Sequence, residues 1–234
     1  MHAASQTLDP RDVPDRRVDV GSLDRHVGDG AGPDANVATH LDLAEVVPSL
    51  LRRHPGVSDV RLCGSRQRGD ARPLSDWDFL VETKLFLPVA AALPEQLEDL
   101  KPLAAQWERL SIRACFMLVI DGPTKVDLIF GDVHHDPEPP WIVDRSTLAG
   151  LDAHFWDWML WLASKAQADD ALVESELVKM HRHLLEPLGT EPSRSLSDAL
   201  AAYGPALARW ETRLGRRVDR RLGEAVRPVV LSVT

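Results

Sequence analysis

The chain has 234 residues, of which 44% are hydrophobic and 27% charged, with a formal net charge of -9. That length supports one large domain or two small ones, each with its own core. The acidic balance speaks against a nucleic-acid polymer as partner, because phosphate backbones are bound by basic surfaces. No run of 18 or more apolar residues occurs, which excludes a membrane-spanning helix, and the N-terminus lacks the apolar centre of a signal peptide. Two cysteines, Cys63 and Cys115, fall in apolar strand-like patterns without zinc-type spacing, as expected of reduced thiols in a cytoplasmic protein.

Residues 1–37 are rich in Asp and Arg, contain the turn-forming run 28–34, and show no periodicity, so a flexible tail is expected there. Between 39 and 53, Leu41, Leu43, Val46, Val47, Leu50 and Leu51 recur at helical spacing with Thr39 as a cap, and Pro55-Gly56 stops the helix. Residues 59–82 read as strand, tight turn and strand. A helix is predicted over 89–110, opened by Pro94-Glu95. Strands at 113–120 and 125–130 follow, joined by the turn Asp121-Gly122-Pro123-Thr124. Residues 131–140, with His134-His135 and three prolines, read as a loop between domains. Everything after about Asp144 reads as helical: a first helix carrying Leu151, Phe155, Trp158 and Leu162, apolar over most of its circumference and hence buried, with its tryptophans in the core; 169–185; and 195–214. Three antiparallel helices would form a small bundle.

The chemistry concentrates at the strand-turn-strand. In an extended segment alternate side chains share a face, so Asp76 and Asp78 project together while Trp77 points away. Two carboxylates so close repel one another unless a cation sits between them. A hard ion such as Mg2+ suits them, since it binds through one or two carboxylates plus substrate phosphates. Twelve residues before Asp76 stands Gly64-Ser65, where a glycine lets backbone amides approach an anion. A third acid, Asp127, lies in the otherwise apolar run Lys125-Val126-Asp127-Leu128-Ile129-Phe130.

The run Gly64-Ser65-Arg66-Gln67-Arg68-Gly69-Asp70, the following Ser75-Asp76-Trp77-Asp78 and the later Asp127 together resemble the signature of the DNA polymerase beta-like nucleotidyltransferase superfamily. In layout, a core followed by helices is similar to the bacterial aminoglycoside and lincosamide-type small-molecule nucleotidyltransferases. The resemblance implies an α+β fold, with a nucleotidyltransferase core of short mixed sheet flanked by helices over 38–140 and a C-terminal helical bundle over 141–234. It implies transfer of an NMP, with ATP or another NTP as co-substrate, to a hydroxyl of a small molecule such as an antibiotic, releasing pyrophosphate. Asp76, Asp78 and Asp127 would be the catalytic acids and ligands of two Mg2+ ions, and Gly64, Ser65, Arg68 and Lys165 would hold the nucleotide. Glu174, Glu176 and Lys179 are further candidates by position and type, and Arg66 reads as a surface residue. A protein-modifying adenylyltransferase and a non-catalytic nucleotide-binding module are alternative readings, and the oligomeric state is open.

The net acidity of 152–198 fits either a solvated face or a wall for a cationic small molecule.

Overall fold

The computed structural model describes residues 42–166 and 168–234, so the expected N-terminal tail and the Thr39 cap lie outside the described residues. The described residues form one compact unit.

Helix α1 (Leu43–Leu51) is capped by Asp42, whose carboxylate accepts the Ala44 N–H at 3.1 Å, and it buries Leu43, Val47, Leu50 and Leu51. Strand β1 (Val57–Cys63) runs into a one-turn helix, α2 (Gly64–Arg68), and β2 (Trp77–Thr83) returns antiparallel to β1. Next come α3 (Phe86–Gln96), a 3-10 turn (Glu98–Leu100), and strands β3 (Ala104–Trp107), β4 (Arg113–Ile120) and β5 (Thr124–His134). The five strands form one mixed sheet in the order β1-β2-β5-β4-β3, in which only β2 and β5 pair in parallel. The fold is α+β, a mixed sheet flanked by helices with further helices C-terminal to it.

An apolar cluster including Val47, Leu51, Phe79, Leu93, Leu118 and Phe130 joins α1 and α3 to the sheet. A second gathers helices α4 (Leu148–Lys165), α5 (Asp170–Met180), α6 (Leu196–Leu214) and α7 (Arg221–Leu231) and includes Val119 of β4. α4 is its centre, with Leu148, Leu151, Phe155, Met159 and Leu162 fully buried, as the continuous apolar circumference predicted.

The structure differs from the sequence reading in four elements. The helix predicted over 89–110 ends at Gln96, and 104–107 is an edge strand. Lys101 takes a left-handed backbone (φ 48°) ahead of Pro102, which breaks the helical run. Pairing of Gln106 and Trp107 with Met117 and Phe116 then outweighs the helix preference of the two alanines. Pro94 sits inside α3 rather than opening it. The loop expected over 131–140 begins late, because β5 continues through His134, opposite Arg113 across a register shift. Finally, the bundle has a fourth helix. The Arg-rich segment around α7 conceals Leu222, Val226 and Val230 at i, i+4 and i+8, all buried, and Gly223 lets α7 meet Trp156, where a Cβ would come within 2.8 Å of the indole. The helix predicted over 169–185 is α-helical only to Met180 and ends in a π-helical turn, His181–Leu185.

Candidate active site

β1 delivers the chain to Gly64, which sits at φ 69°, and α2 starts there. A side chain at this position would overlap the Asp78 carboxylate, so the site requires glycine on two counts, backbone angle and space. Ser65 follows as the second residue of the turn, its carbonyl accepting the Asp70 N–H at 3.1 Å.

Asp76 lies immediately before β2 and Asp78 on it, and the parallel register sets Asp78 opposite Asp127 of β5. One carboxylate oxygen from each of the three acids falls within 4.8 Å of the others. Asp76 is buried, and its Oδ1 has no hydrogen-bond partner. An orphaned buried carboxylate oxygen among three converging acids is a donor set that fits a divalent cation. Burial raises the pKa of Asp76 to about 7, against the pull of Lys125 and Lys165 and with the repulsion of Asp127 and Asp78 adding to it. Asp78 and Asp127 are raised by burial too.

Arg66, read as a surface residue, in fact secures the loop before β2: its guanidinium donates to the Asp76 carbonyl at 3.0 Å and to the Ser75 carbonyl at 2.6 Å, and lies 4.2 Å from the Trp77 ring centre. Arg68 is exposed and paired with Asp70 at 3.3 Å, near enough to Asp78 to favour its ionised form. Lys165, at the end of α4, bears on all three carboxylates, and its Nζ lies 5.4 Å from the Trp161 ring centre. Glu176 and Lys179 pair with one another at 2.5 Å on α5, whereas Glu174 is exposed. His134 meets Asp136, and His135 the Ser111 carbonyl; neither joins an acidic or metal-ligating cluster among the described residues.

Two residues of the site escaped the sequence reading. Lys125 shares a face of β5 with Asp127, and its Nζ donates to Asp127 Oδ1 at 2.7 Å and to both oxygens of Asp157 at 2.8 and 3.0 Å. Burial opposes its charge, yet Asp127, Asp157 and Asp76 around it hold its pKa well above normal. The lysine thus fastens α4 to the strand carrying the third acid. The available signals were an Asp inside an otherwise apolar helix and a Lys two residues before Asp127 in a buried strand.

A cavity of about 670 Å³ opens beside this pair. Asp127 lines it and belongs to the triad, so the cavity and the acids meet at that side chain. Trp156 and Trp158 are core, as expected, and Trp158 also lines the cavity together with the half-buried Trp161.

Residues 43–125 match the family model described as "Nucleotidyltransferase domain". The match takes in Gly64, Ser65, Asp76 and Asp78 and stops two residues before Asp127, and it supports nucleotidyl transfer as the class of chemistry. No curated protein matches the chain. Among solved structures, the chain resembles one described as "Structural Basis for the Activity of a Cytoplasmic RNA Terminal U-transferase", at 17% identity and TM-score 0.33, over 54% of this chain and 38% of that one. It also resembles "Structure and function of the polymerase core of TRAMP, a RNA surveillance complex", at 13% identity and TM-score 0.33, over 73% of this chain and 54% of the other. The chain therefore spans between a third and about half of the length of these two structures. No helix among the described residues is long and apolar enough to cross a membrane.

Proposed function

We propose that this protein transfers an NMP, with AMP from ATP as the first candidate, to a hydroxyl group of a small molecule and releases pyrophosphate. The observation that carries the reading is the convergence of Asp76, Asp78 and Asp127 within 4.8 Å, beside a glycine that has no room for a side chain. The three acids would hold divalent cations, taken as two Mg2+, which when bound supply the positive charge that draws the triphosphate and the entering oxygen together. Gly64 and Ser65 would receive the β and γ phosphates through backbone amides and a hydroxyl, while Arg68 and Lys165 would add positive charge at the edges of the site. Asp127, at the boundary between triad and cavity, would take the proton of the acceptor hydroxyl. Holding both reactants in register would then contribute much of the rate. In this division of labour residues 38–140 carry the nucleotide chemistry, and the helices of 141–234 close one side of the acceptor cavity.

The test is incubation with α-labelled ATP and Mg2+ in the presence of small hydroxylated compounds, RNA, or cell protein. Label on a small molecule with stoichiometric pyrophosphate is the expected result. Label on RNA or protein would move the acceptor to that class. ATP binding without transfer to any of them would make the protein a nucleotide-binding module instead.

A further inference from the structure

Building on the transfer reading, we propose that the 670 Å³ cavity beside Asp127 is the acceptor site, and that it takes a neutral, ring-containing alcohol rather than a polycationic one. The volume lies in the range of roughly 300–1,000 Å³ that suits drug-sized ligands. Met117, Ile129, Trp158 and Trp161 provide apolar and aromatic wall, and Ile112, 61% exposed, carries that apolar character out to the mouth. Indole faces next to aliphatic side chains recognise flat or alicyclic carbon skeletons.

Each carboxylate in the wall already has a hydrogen-bonding partner. Asp127 and Asp157 share Lys125, Glu176 is paired with Lys179, and Glu108 accepts the Leu110 N–H at 2.7 Å and lies 3.7 Å from His154 Nε2. The Arg113 guanidinium donates to the Gly131 carbonyl. A polyamine would therefore meet carboxylates already engaged, and would shed its hydration without equivalent return. The two imidazoles of the wall, His154 and His183, add no positive charge at neutral pH, because burial keeps both below their usual pKa. In the transfer the acceptor oxygen forms a bond to the α-phosphorus, the bond from that phosphorus to the β-bridging oxygen breaks, pyrophosphate leaves, and the hydroxyl proton passes to Asp127.

Calorimetric titration with three neutral alcohols (2-naphthylethanol, 4-nitrobenzyl alcohol and decahydro-2-naphthol) and with the aminocyclitol polyamine neamine tests this without ATP. At least one neutral alcohol is expected to bind at millimolar concentration or tighter, and to weaken tenfold or more in Ile112→Asp and Trp161→Ala while Trp161→Phe retains it. Circular dichroism melts of the three variants establish that each is folded, and Ile112, exposed at the mouth, tolerates the change. Preferential binding or labelling of neamine, no binding by any neutral alcohol, or binding indifferent to both disruptive variants would each overturn the proposal. Parallel assays with α-labelled ATP keep the two readings apart. Loss of all label transfer and all ATP binding, with alcohol binding intact, removes the transferase reading while the cavity's preference for neutral alcohols stands.

Discussion

At residue 64 a single missing side chain decides whether the site exists. Gly64→Ala would drive a methyl into the Asp78 carboxylate and strain a backbone at φ 69°. The left-handed angle alone costs on the order of 1 kcal/mol, which a folded chain survives. Transfer is expected to fall at least 100-fold while the melting temperature drops only a few degrees, and parallel activity and thermal assays check the split. Asp76→Asn, Asp78→Asn and Asp127→Asn should each abolish label transfer, with folding retained by circular dichroism. A residue remote from the triad tests the electrostatics of burial. Asp152 accepts from the Tyr203 hydroxyl at 2.5 Å and the Trp156 indole at 3.2 Å, and burial raises its pKa to about 6 from 3.8. The protonated form is favoured in the folded state, so this contribution is fully present below 3.8 and is lost as the pH rises through about 6. Urea melts across pH 4–8 should show wild type losing on the order of 3 kcal/mol relative to Asp152→Asn over that window; parallel pH profiles would refute it. At this scale the sequence was most legible where chemistry and spacing coincide. Gly64, Asp76, Asp78 and Asp127 could be picked out because a turn, an alternation and an acid in an apolar strand each carry a local signal. Lys125 and Asp157 each offered only a charge in an apolar strand or helix, and their pairing was not legible, since it spans 32 positions and depends on how a helix docks.

At the level of elements, the decisive contact is the one between β5 and α4. Truncating one partner of a buried ion pair leaves the other charge unpaired, at a cost of about 3–5 kcal/mol, whereas replacing both with apolar groups is often neutral. Lys125→Met alone is therefore expected to lower stability by about that amount, and Lys125→Met with Asp157→Leu to recover only part of it, since Asp127 stays without its lysine; chemical denaturation of the two variants and wild type measures this. Recovery of stability without recovery of transfer would mean that Lys125 also positions Asp127. Elements whose apolar spacing is internal to them, such as α4 and α6, were readable from sequence alone. β3 was not, because Ala104 and Ala105 favour a helix and only pairing with β4 makes them a strand. α7 was hidden for a different reason, its three buried aliphatics lying among five arginines and acids.

Across the whole molecule, burial first and repulsion from neighbouring acids second raise the pKa values of Asp76, Asp78 and Asp127, so holding all three ionised burdens the fold. A cation that binds only the folded protein stabilises it by mass action, by about 2.7 kcal/mol at a hundredfold excess over its dissociation constant. Millimolar Mg2+ or Mn2+ at pH 8 should accordingly raise the melting temperature by several degrees, a chelator should reverse it, and Asp78→Asn should abolish the increment; differential scanning fluorimetry reads all three. The general layout, a sheet followed by helices, was legible because helical and strand periodicities differ, whereas the way the two parts join was not. Val119 of β4 shares one oily interior with Phe155 and Tyr203, and Ala104 of β3 abuts it. Severing the chain near residue 140 would thus strip a wall from each piece and leave both greasy, sticky and short of the partner that shields them. Evolution or engineering that swaps the rear half for another would have to redesign the seam along with it, so this protein is a poor donor of interchangeable parts.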